Sequence, residues 1–264
     1  IRNSGFELQL DGRIIDRAVK WDLGVNFSLN RSKVLVLSED KDIFGGELDN
    51  TILKDQLNLM RVGEPMYVFY GYVEDGYDEN GHIVYKNMDD DPAITAADKT
   101  IIGDPNPDFL VNLTTAVSYK GFTLSAFFQS SIGNDIYSLS MAAQAYDYGY
   151  NGNTLREVYY NHWTPENPTA KYPNLDQTSY KMSDRFVYDG SFVRLKNLEL
   201  AYDVPCARSK FIKRARAYVS AQNLFTITSY PFWDPDINAN GGGSSMIQGV
   251  DSYCYPSART YTIG

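Results

Sequence analysis

Apolar and polar residues alternate along three stretches of the chain. In Trp21–Arg31, tryptophan, leucine, valine and phenylalanine take the odd positions, whereas aspartate, glycine, asparagine and serine take the even ones. Phe109–Tyr119 and Phe122–Ile132 follow the same scheme. Because a β-strand turns successive side chains to opposite faces, these segments predict strands with one apolar and one polar face. Only Lys120-Gly121 separates the last two strands, which predicts a tight hairpin.

Four weaker segments bring the prediction to about seven strands. They are Phe6–Gly12, Ser191–Val204, Arg214–Ile227 and Thr260–Gly264. The connections alternate in length, with short turns at 13–20, 120–121 and 205–213 and long loops at 32–108, 133–190 and 228–259. Strict alternation of this kind is typical of outer-membrane barrels. We therefore predict an all-β fold, namely part of a large transmembrane antiparallel β-barrel with long, structured extracellular loops.

Aromatic residues gather beside the short turns, which favours the same prediction. They are Trp21, Tyr119, Phe122, Tyr202 and Tyr218. A girdle at a membrane interface has this placement, although aromatic residues that cap a soluble β-sandwich would share it. Within the long loops, Tyr67–Tyr85 predicts a hairpin that turns near Asn80-Gly81, and Thr154–Trp163 predicts a helix.

The segment Ser191–Val204 changes its apolar parity midway. Val193 and Leu195 lie on one parity, and Leu198 and Leu200 lie on the other. Either Arg194 and Lys196 lie above the hydrocarbon, or a β-bulge near Asn197 exchanges the faces. Both explanations require lipid on one side of the strand and water on the other.

Charge and cysteine content exclude several classes of protein. The 264 residues carry a net charge of −9, which argues against a nucleic-acid partner because a phosphate binder needs a basic stripe. The two cysteines, Cys206 and Cys254, make neither a disulfide framework nor a metal cluster. The barrel topology places them at opposite ends, so a disulfide between them would contradict it.

Several segments resemble the C-terminal part of the SusC/RagA family of TonB-dependent outer-membrane transporters of the Bacteroidetes. They occur in family order along nearly the whole chain: WDLGVNFSLNRSKV, IIGDPNPDF, YKGFTLSAFFQSSIGNDIY, HWTPENP, SFVRLKNLELAYDVP, VSAQNLFTIT, DPDIN and YPSARTYTIG. The resemblance implies that residues 1–264 are the C-terminal portion of a 22-stranded receptor barrel, without the plug and the earlier strands. It also implies that the long loops are extracellular.

The resemblance further implies partners and a cellular location. A SusD-like surface lipoprotein would cover the barrel, the TonB complex would act through the missing N-terminal part, and the remainder of the barrel would complete the wall. Transporter–lipoprotein pairs could form dimers. The location would be the outer membrane of a Gram-negative bacterium, one of the Bacteroidetes.

Candidate site residues fall into a lumen row and a group of loop aromatics. Polar side chains opposite the apolar parity are expected to line a passage: Asp22, Asn26, Ser28, Asn112, Thr114, Gln129, Asn197 and Glu199. Loop aromatics, including Tyr70, Tyr72, Tyr148 and Trp233, could stack on sugar rings or bind apolar peptide side chains. Packing of loop against loop explains any one of these aromatics equally well.

An acidic loop has the spacing of a calcium-binding loop. Asn87, Asp89 and Asp91 occupy positions 1, 3 and 5, and Asp98 occupies position 12. Pro92 replaces the usual glycine at position 6, and its fixed negative φ opposes the sharp turn. We therefore favour an acidic loop without metal over a Ca²⁺ site. No other cofactor is expected.

The function that we predict is TonB-dependent import of a glycan or an oligopeptide without chemical change. No Gly-x-Ser-x-Gly elbow, HExxH motif or P-loop occurs, so we expect no enzyme activity. The main alternative is a secreted soluble β-sandwich that binds glycans, and a glycosidase is a more distant one. Burial of the row formed by Leu23, Val25 and Phe27 beneath a second sheet would contradict the importer.

Overall fold

The computed structural model describes residues 1–49, 53–146, 153–206, 211–237 and 246–264. Its largest element is one sheet of seven strands: β1 (Arg2–Asp16), β2 (Val19–Lys33), β3 (Phe109–Tyr119), β4 (Phe122–Ile132), β5 (Phe192–Val204), β6 (Ala215–Thr228) and β7 (Thr260–Ile263). Each strand pairs antiparallel with the next one along the chain. The seven predicted strands are thus confirmed, and β3 and β4 have the predicted bounds.

The turn between β3 and β4 shows why these residues form a tight hairpin. Lys120 has a φ of 48° and Gly121 a φ of 84°. Two successive residues at positive φ match the twist of antiparallel strands, and glycine adopts this conformation without steric cost.

Strand register divides the sheet into an apolar face and a polar face. One cross-strand row of the apolar face contains Leu10, Val25, Leu113, Phe128, Leu195 and Phe225. The neighbouring row on the opposite face contains Gln9, Asn26, Asn112, Gln129, Arg194 and Thr226. The alternation seen in single strands therefore continues across six strands.

The change of parity in β5 is produced by a β-bulge. The register of β5 against β6 shifts between Leu195 and Asn197, and the register of β4 against β5 shifts at the same place. Lys196 is thereby left out of the pairing, and Leu195 joins the face of Leu198. Of the two explanations for the change of parity, the structure shows the bulge.

The buried core lies in the long connections. Four small sheets form there from these strands: Ile43–Phe44, Asn58–Met60, Val68–Gly71 and Thr100–Gly103; Glu47–Asp49 and Lys54–Gln56; Glu74–Tyr77 and Ile83–Tyr85; Asp135–Ser138, Val187–Asp189 and Val250–Asp251. The helices are α1 (Leu139–Tyr146) and α2 (Arg156–Tyr160), with single 3₁₀ turns at Ser38–Asp40, Ala96–Asp98 and Asp184–Phe186. Leu57, Phe69, Tyr137, Met182 and Val250 show that all three connections contribute to one core.

The hairpin and the helix predicted within the loops are both present, and the helix is shorter than expected. Glu74–Tyr77 pairs with Ile83–Tyr85 around the Asn80-Gly81 turn. Helix α2 covers Arg156–Tyr160 of the predicted Thr154–Trp163. Helix α1 was missed because seven of its eight residues are buried, so it shows no polar stripe.

The apolar face of the sheet remains largely exposed. Leu10 is 58% exposed, Leu124 47% and Ile227 66%. Leu23, Val25 and Phe27 are half-buried by their neighbours in the sheet. In the described ranges, no second sheet of comparable size lies over them. An apolar surface of this extent needs a nonaqueous neighbour, and the described residues do not form the second sheet that would cover it in a soluble β-sandwich.

Most of the aromatic residues beside the short turns lie on this face. Tyr119, Phe122 and Tyr202 form one cross-strand row, and the rings of Phe122 and Tyr202 are 4.4 Å apart. Tyr218 is an exception to the predicted girdle. It pairs with Ala201 on the opposite parity and therefore lies on the polar face.

Neither Cys206 nor Cys254 forms a disulfide. Within the described parts of the chain, no helix has the length and hydropathy needed to cross a membrane.

Candidate functional site

The polar face of the sheet carries an in-register row of hydrogen-bonding side chains. Gln9 pairs with Asn26, Asn26 with Asn112, Asn112 with Gln129, and Gln129 with Arg194. Antiparallel register places such partners about 5 Å apart on the same face. The row therefore presents donors and acceptors in a continuous line, a property that the alternation within one strand cannot reveal.

All of the predicted lumen residues lie on this polar face. Asn26, Asn112 and Gln129 belong to the row just described, and Ser28 lies in the row toward the long loops. Thr114 and Asn197 lie in the next row toward the short turns, and Asp22 and Glu199 in the row after that. The structure thus brings the residues onto one surface, and their contact with a solute stays a prediction.

Small residues and charges shape a depression on this face. A cavity of about 220 Å³ is lined by Gln9, Asp11, Gly24, Asn112 and Thr114, with neighbouring residues. A Cβ at Gly24 would come within 2.6 Å of the Asp11 carboxylate, so the glycine leaves the space that this carboxylate occupies.

Two ion pairs border the polar face at its short-turn side. Arg13 donates to Asp22 at 2.8 Å, and Arg216 donates to Glu199 at 2.7 Å. Both carboxylates of the predicted lumen row are therefore paired with arginines on neighbouring strands.

Arg194 is the most buried residue of the polar row. Only 1% of it is exposed, and its guanidinium is bound from both sides. Its Nε donates to Thr226 Oγ1 at 2.9 Å, and one terminal nitrogen donates to Ser257 Oγ at 3.1 Å. The other terminal nitrogen is bound by Asp234, and Asp236 lies 3.4 Å from the guanidinium.

Backbone N–H groups around Asp234 hold its carboxylate in position for this ion pair. It accepts N–H groups from Asp236 and Ser257, both at 2.9 Å. Burial opposes ionisation, but these backbone donors and Arg194 together lower the pKa of Asp234 below its usual value. The carboxylate is therefore charged at neutral pH and compensates the buried guanidinium.

A cavity of about 360 Å³ lies beside this ion pair. Its lining includes Arg194, Thr226, Trp233, Ser257 and Arg259. Trp233 is 54% exposed, and its ring stacks on Phe232 at 4.7 Å. Of the predicted solute-contacting aromatics, Trp233 is therefore held in place and still open to solvent.

The other predicted aromatics have different environments. Tyr70 is half-buried, with the Arg61 guanidinium 4.9 Å from its ring centroid. Tyr72 is only 5% exposed and packs against Tyr85, so its ring belongs to the loop core, and its contact with a solute stays a prediction. Tyr148 lies outside the described residues.

A buried ion pair fixes the loop core, and no local sequence pattern indicates it. Arg185 Nε donates to both carboxylate oxygens of Glu74, at 2.9 and 2.8 Å. Ser183 donates to the same carboxylate at 2.7 Å. Burial alone would lower the pKa of Arg185, but hydrogen bonding to Glu74 raises it. This ion pair thus joins the first and second long connections.

The acidic loop uses its oxygens to hold its own backbone. Asn87, Asp89 and Asp91 each accept the N–H two residues later. Asp98 is buried and accepts the N–H groups of Met88 and Thr95, both at 2.7 Å. These bonds lower the pKa of Asp98. No group of three or more His, Cys, Asp or Glu side chains in the described ranges is arranged around a metal position. The preference for an acidic loop without metal over a Ca²⁺ site stays a prediction.

Comparison with known proteins finds relatives that match the chain over its full length. No family model matches it. The chain is 32% identical over its full length to TonB-dependent receptor P3 of Formosa agariphila, covering 28% of that protein. It is 27% identical over its full length to TonB-dependent receptor SusC of Bacteroides thetaiotaomicron, covering 26% of that protein.

A solved structure gives the same result. The RagAB peptide transporter superposes on 99% of the chain with a TM-score of 0.80 at 25% identity, and the chain covers 28% of it. The resemblance to SusC/RagA TonB-dependent transporters is thereby confirmed, as is the fold class of a seven-stranded part of a large barrel. The chain spans little more than a quarter of the length of these relatives.

Proposed function

We propose that the chain forms part of the wall of an outer-membrane, TonB-dependent importer and carries no enzyme activity of its own. Its apolar face would contact lipid, and its polar face would line the passage. The proposal rests on one observation: the polar row from Gln9 to Thr226 runs in register across six strands, directly behind an apolar row. Two such faces need two different solvents.

The position of the loop core agrees with this proposal. The three long connections leave the same end of the sheet and share one buried core. We propose that they lie outside the cell, at approximately 32–108, 133–190 and 228–259, above the passage. Trp233 and the cavity beside Arg194 would then contact a solute that enters from that side.

The solute that we propose is an oligopeptide or a glycan. Among the relatives, RagAB is described as a peptide transporter, which supports an oligopeptide, whereas the name of the TonB-dependent receptor SusC specifies no solute. An exposed tryptophan beside the ion pair of Arg194 and Asp234 suits either an amide backbone or a sugar ring. A SusD-like surface lipoprotein, the TonB complex and the rest of the barrel are the proposed partners, in a member of the Bacteroidetes.

The proposal is tested by uptake in cells that carry the full-length protein. Asn112→Trp would place a bulky ring on the polar row, and the matched variant Val111→Trp would place the same ring on the apolar face. We expect Asn112→Trp to reduce TonB-dependent uptake of labelled oligopeptides or oligosaccharides, and Val111→Trp to leave it near the parent level. Equal uptake in the two variants, or release of the parent protein into buffer without detergent, would refute the proposal.

A further inference from the structure

The three short turns bring a group of basic side chains to one end of the sheet. Arg17 and Lys20 belong to the first turn and Lys120 to the second, while Lys213 and Arg214 belong to the third. All five are exposed. Two carboxylates lie close to these cations at the strand ends, Asp16 on β1 and Asp203 on β5. We call the five cations the basic turn patch.

Neighbouring carboxylates neutralise the patch only weakly. Asp203 lies 4.0 Å from Arg214, and both side chains are exposed. Asp16 lies 3.5 Å from Arg13, which is already paired with Asp22. Arg17, Lys20 and Lys213 form no ion pair with any carboxylate in the described ranges. Exposed pairs of this kind contribute little, so the charge of the patch faces solvent.

Exposed apolar side chains lie beside this charge. Phe211 is 95% exposed and Ile212 54%, and both immediately precede Lys213. The row of Tyr119, Phe122 and Tyr202 lies at the same end of the apolar face. The Lys120 ammonium lies 5.1 Å from the Tyr119 ring centroid, which brings the cation to the level of that aromatic row.

The charge of this end contrasts with the rest of the protein. The net charge of the chain is −9, and the first long connection, 34–108, contains seventeen acidic and only five basic residues. The molecule is therefore strongly polarised along the strands. Its basic pole lies at the end where aromatic and apolar side chains reach the edge of the apolar face.

We propose that the basic turn patch binds the headgroups of anionic phospholipids in the leaflet on the short-turn side. Phosphate groups attract Lys and Arg near a membrane surface, and long cationic side chains reach headgroups while their stems cover apolar surface. Phe211 and Ile212 would insert among the acyl chains beside the patch. This inference rests on the membrane placement in the proposed function.

The test uses the full-length protein in lipid nanodiscs that contain phosphatidylcholine with or without phosphatidylglycerol. Native mass spectrometry then counts the phosphatidylglycerol molecules retained after release from the nanodiscs. The triple variant Lys20→Gln/Lys120→Gln/Lys213→Gln removes three charges from the patch. Lys41→Gln/Lys54→Gln/Lys86→Gln removes three charges from the long-loop end as a matched control.

We expect the parent protein and the control to retain phosphatidylglycerol in preference to phosphatidylcholine. Removal of each headgroup-binding cation should weaken this preference by about fivefold, and high salt should reduce it in the parent. No lipid preference in the parent, or an equal reduction in the control, would overturn the inference. An unchanged preference in the patch variant would do so too, because the phosphatidylglycerol would then be bound elsewhere on the protein.

A second variant separates the contribution of the charges from that of the exposed apolar ring. Phe211→Ser keeps every charge of the patch, and we expect it to insert with the phosphatidylglycerol preference only partly reduced. Failure of the parent protein to enter nanodiscs would refute the proposed function itself. Entry without a lipid preference would refute only this inference.

Discussion

Arg194 on β5 and Asp234, forty residues later in the last long connection, form a buried ion pair at the polar face of the sheet. Arg194 is 1% exposed, and Asp234 is buried with two backbone N–H groups bound to it. The pair joins a strand of the large sheet to the last long connection. It thereby fixes the position of Trp233, the adjacent residue and the exposed aromatic of the candidate site.

Loss of this pair should release the last connection from the strand. Arg194→Gln removes the cation and leaves Asp234 and Asp236 without compensation, which costs about 3–5 kcal/mol for a buried pair. We expect faster amide hydrogen exchange at 229–237 and 246–259, while β3 and β4 stay protected. Arg216→Gln, which breaks the more exposed pair with Glu199, is the matched control and should leave the loop unchanged. Protection of the loop in Arg194→Gln would contradict this role.

Acid should weaken the same attachment. The folded-state pKa of Asp234 is below the ordinary value of 3.8, so its contribution is fully present above pH 3.8 and is lost as the pH falls through the lower folded-state pKa. Hydrogen exchange of 229–237 should therefore accelerate below pH 3.8, after correction for the intrinsic rate. Asp234→Asn should be less protected at neutral pH and should lose this acid step, whereas Asp236→Asn should keep it.

The local sequence pattern predicted the strands of the sheet because each strand turns apolar side chains to one face and polar side chains to the other. β3 and β4 follow a period of two over most of their length, with exceptions such as Thr115 and Phe127, and their bounds could be predicted from it. The position of the bulge at Lys196 could be predicted closely, because two runs of opposite apolar parity must meet there. The choice between a bulge and a change of depth needed the register of both neighbouring strands.

The candidate site was only partly predictable because its contacts are long-range. Tyr72 and Trp233 are both loop aromatics next to polar residues, yet one is 5% exposed and the other 54%. Their exposures differ because Tyr72 lies in the core that the three connections form together, and no local sequence pattern predicts that core. The same holds for Glu74 and Arg185, which are 111 residues apart in sequence.

The hairpin in the first long connection depends on a glycine at its turn. Gly81 has a φ of +78°, and a Cβ there would overlap the indole ring of Trp163. Gly76 has a φ of +98° with nothing near its Cβ position. Both alanine variants incur the cost of positive φ, about 1 kcal/mol. Gly81→Ala should cost more because it also displaces Trp163, and the two can be compared by proteolysis of the loops in intact cells. Equal resistance would show that the indole adapts without cost.

The two faces of β3 should differ sharply in their tolerance of charge. Leu113 and Thr114 are neighbours near the middle of the strand, with Leu113 on the apolar face and Thr114 on the polar face. Leu113→Arg would bring a guanidinium into hydrocarbon, which costs about 2–4 kcal/mol at the bilayer midplane. Thr114→Arg would bring the same group into water beside Asn197 and Phe127.

We expect full-length Leu113→Arg to fold poorly into liposomes and Thr114→Arg to fold like the parent protein. Folding is measured by the shift in gel mobility between unheated and heated samples, which folded barrels show. The comparison controls for the introduced residue and for depth, because the two positions are adjacent in the strand and lie on opposite faces. A larger loss in Thr114→Arg than in Leu113→Arg would contradict the assignment, because lipid would then contact the face of Thr114 and water the face of Leu113.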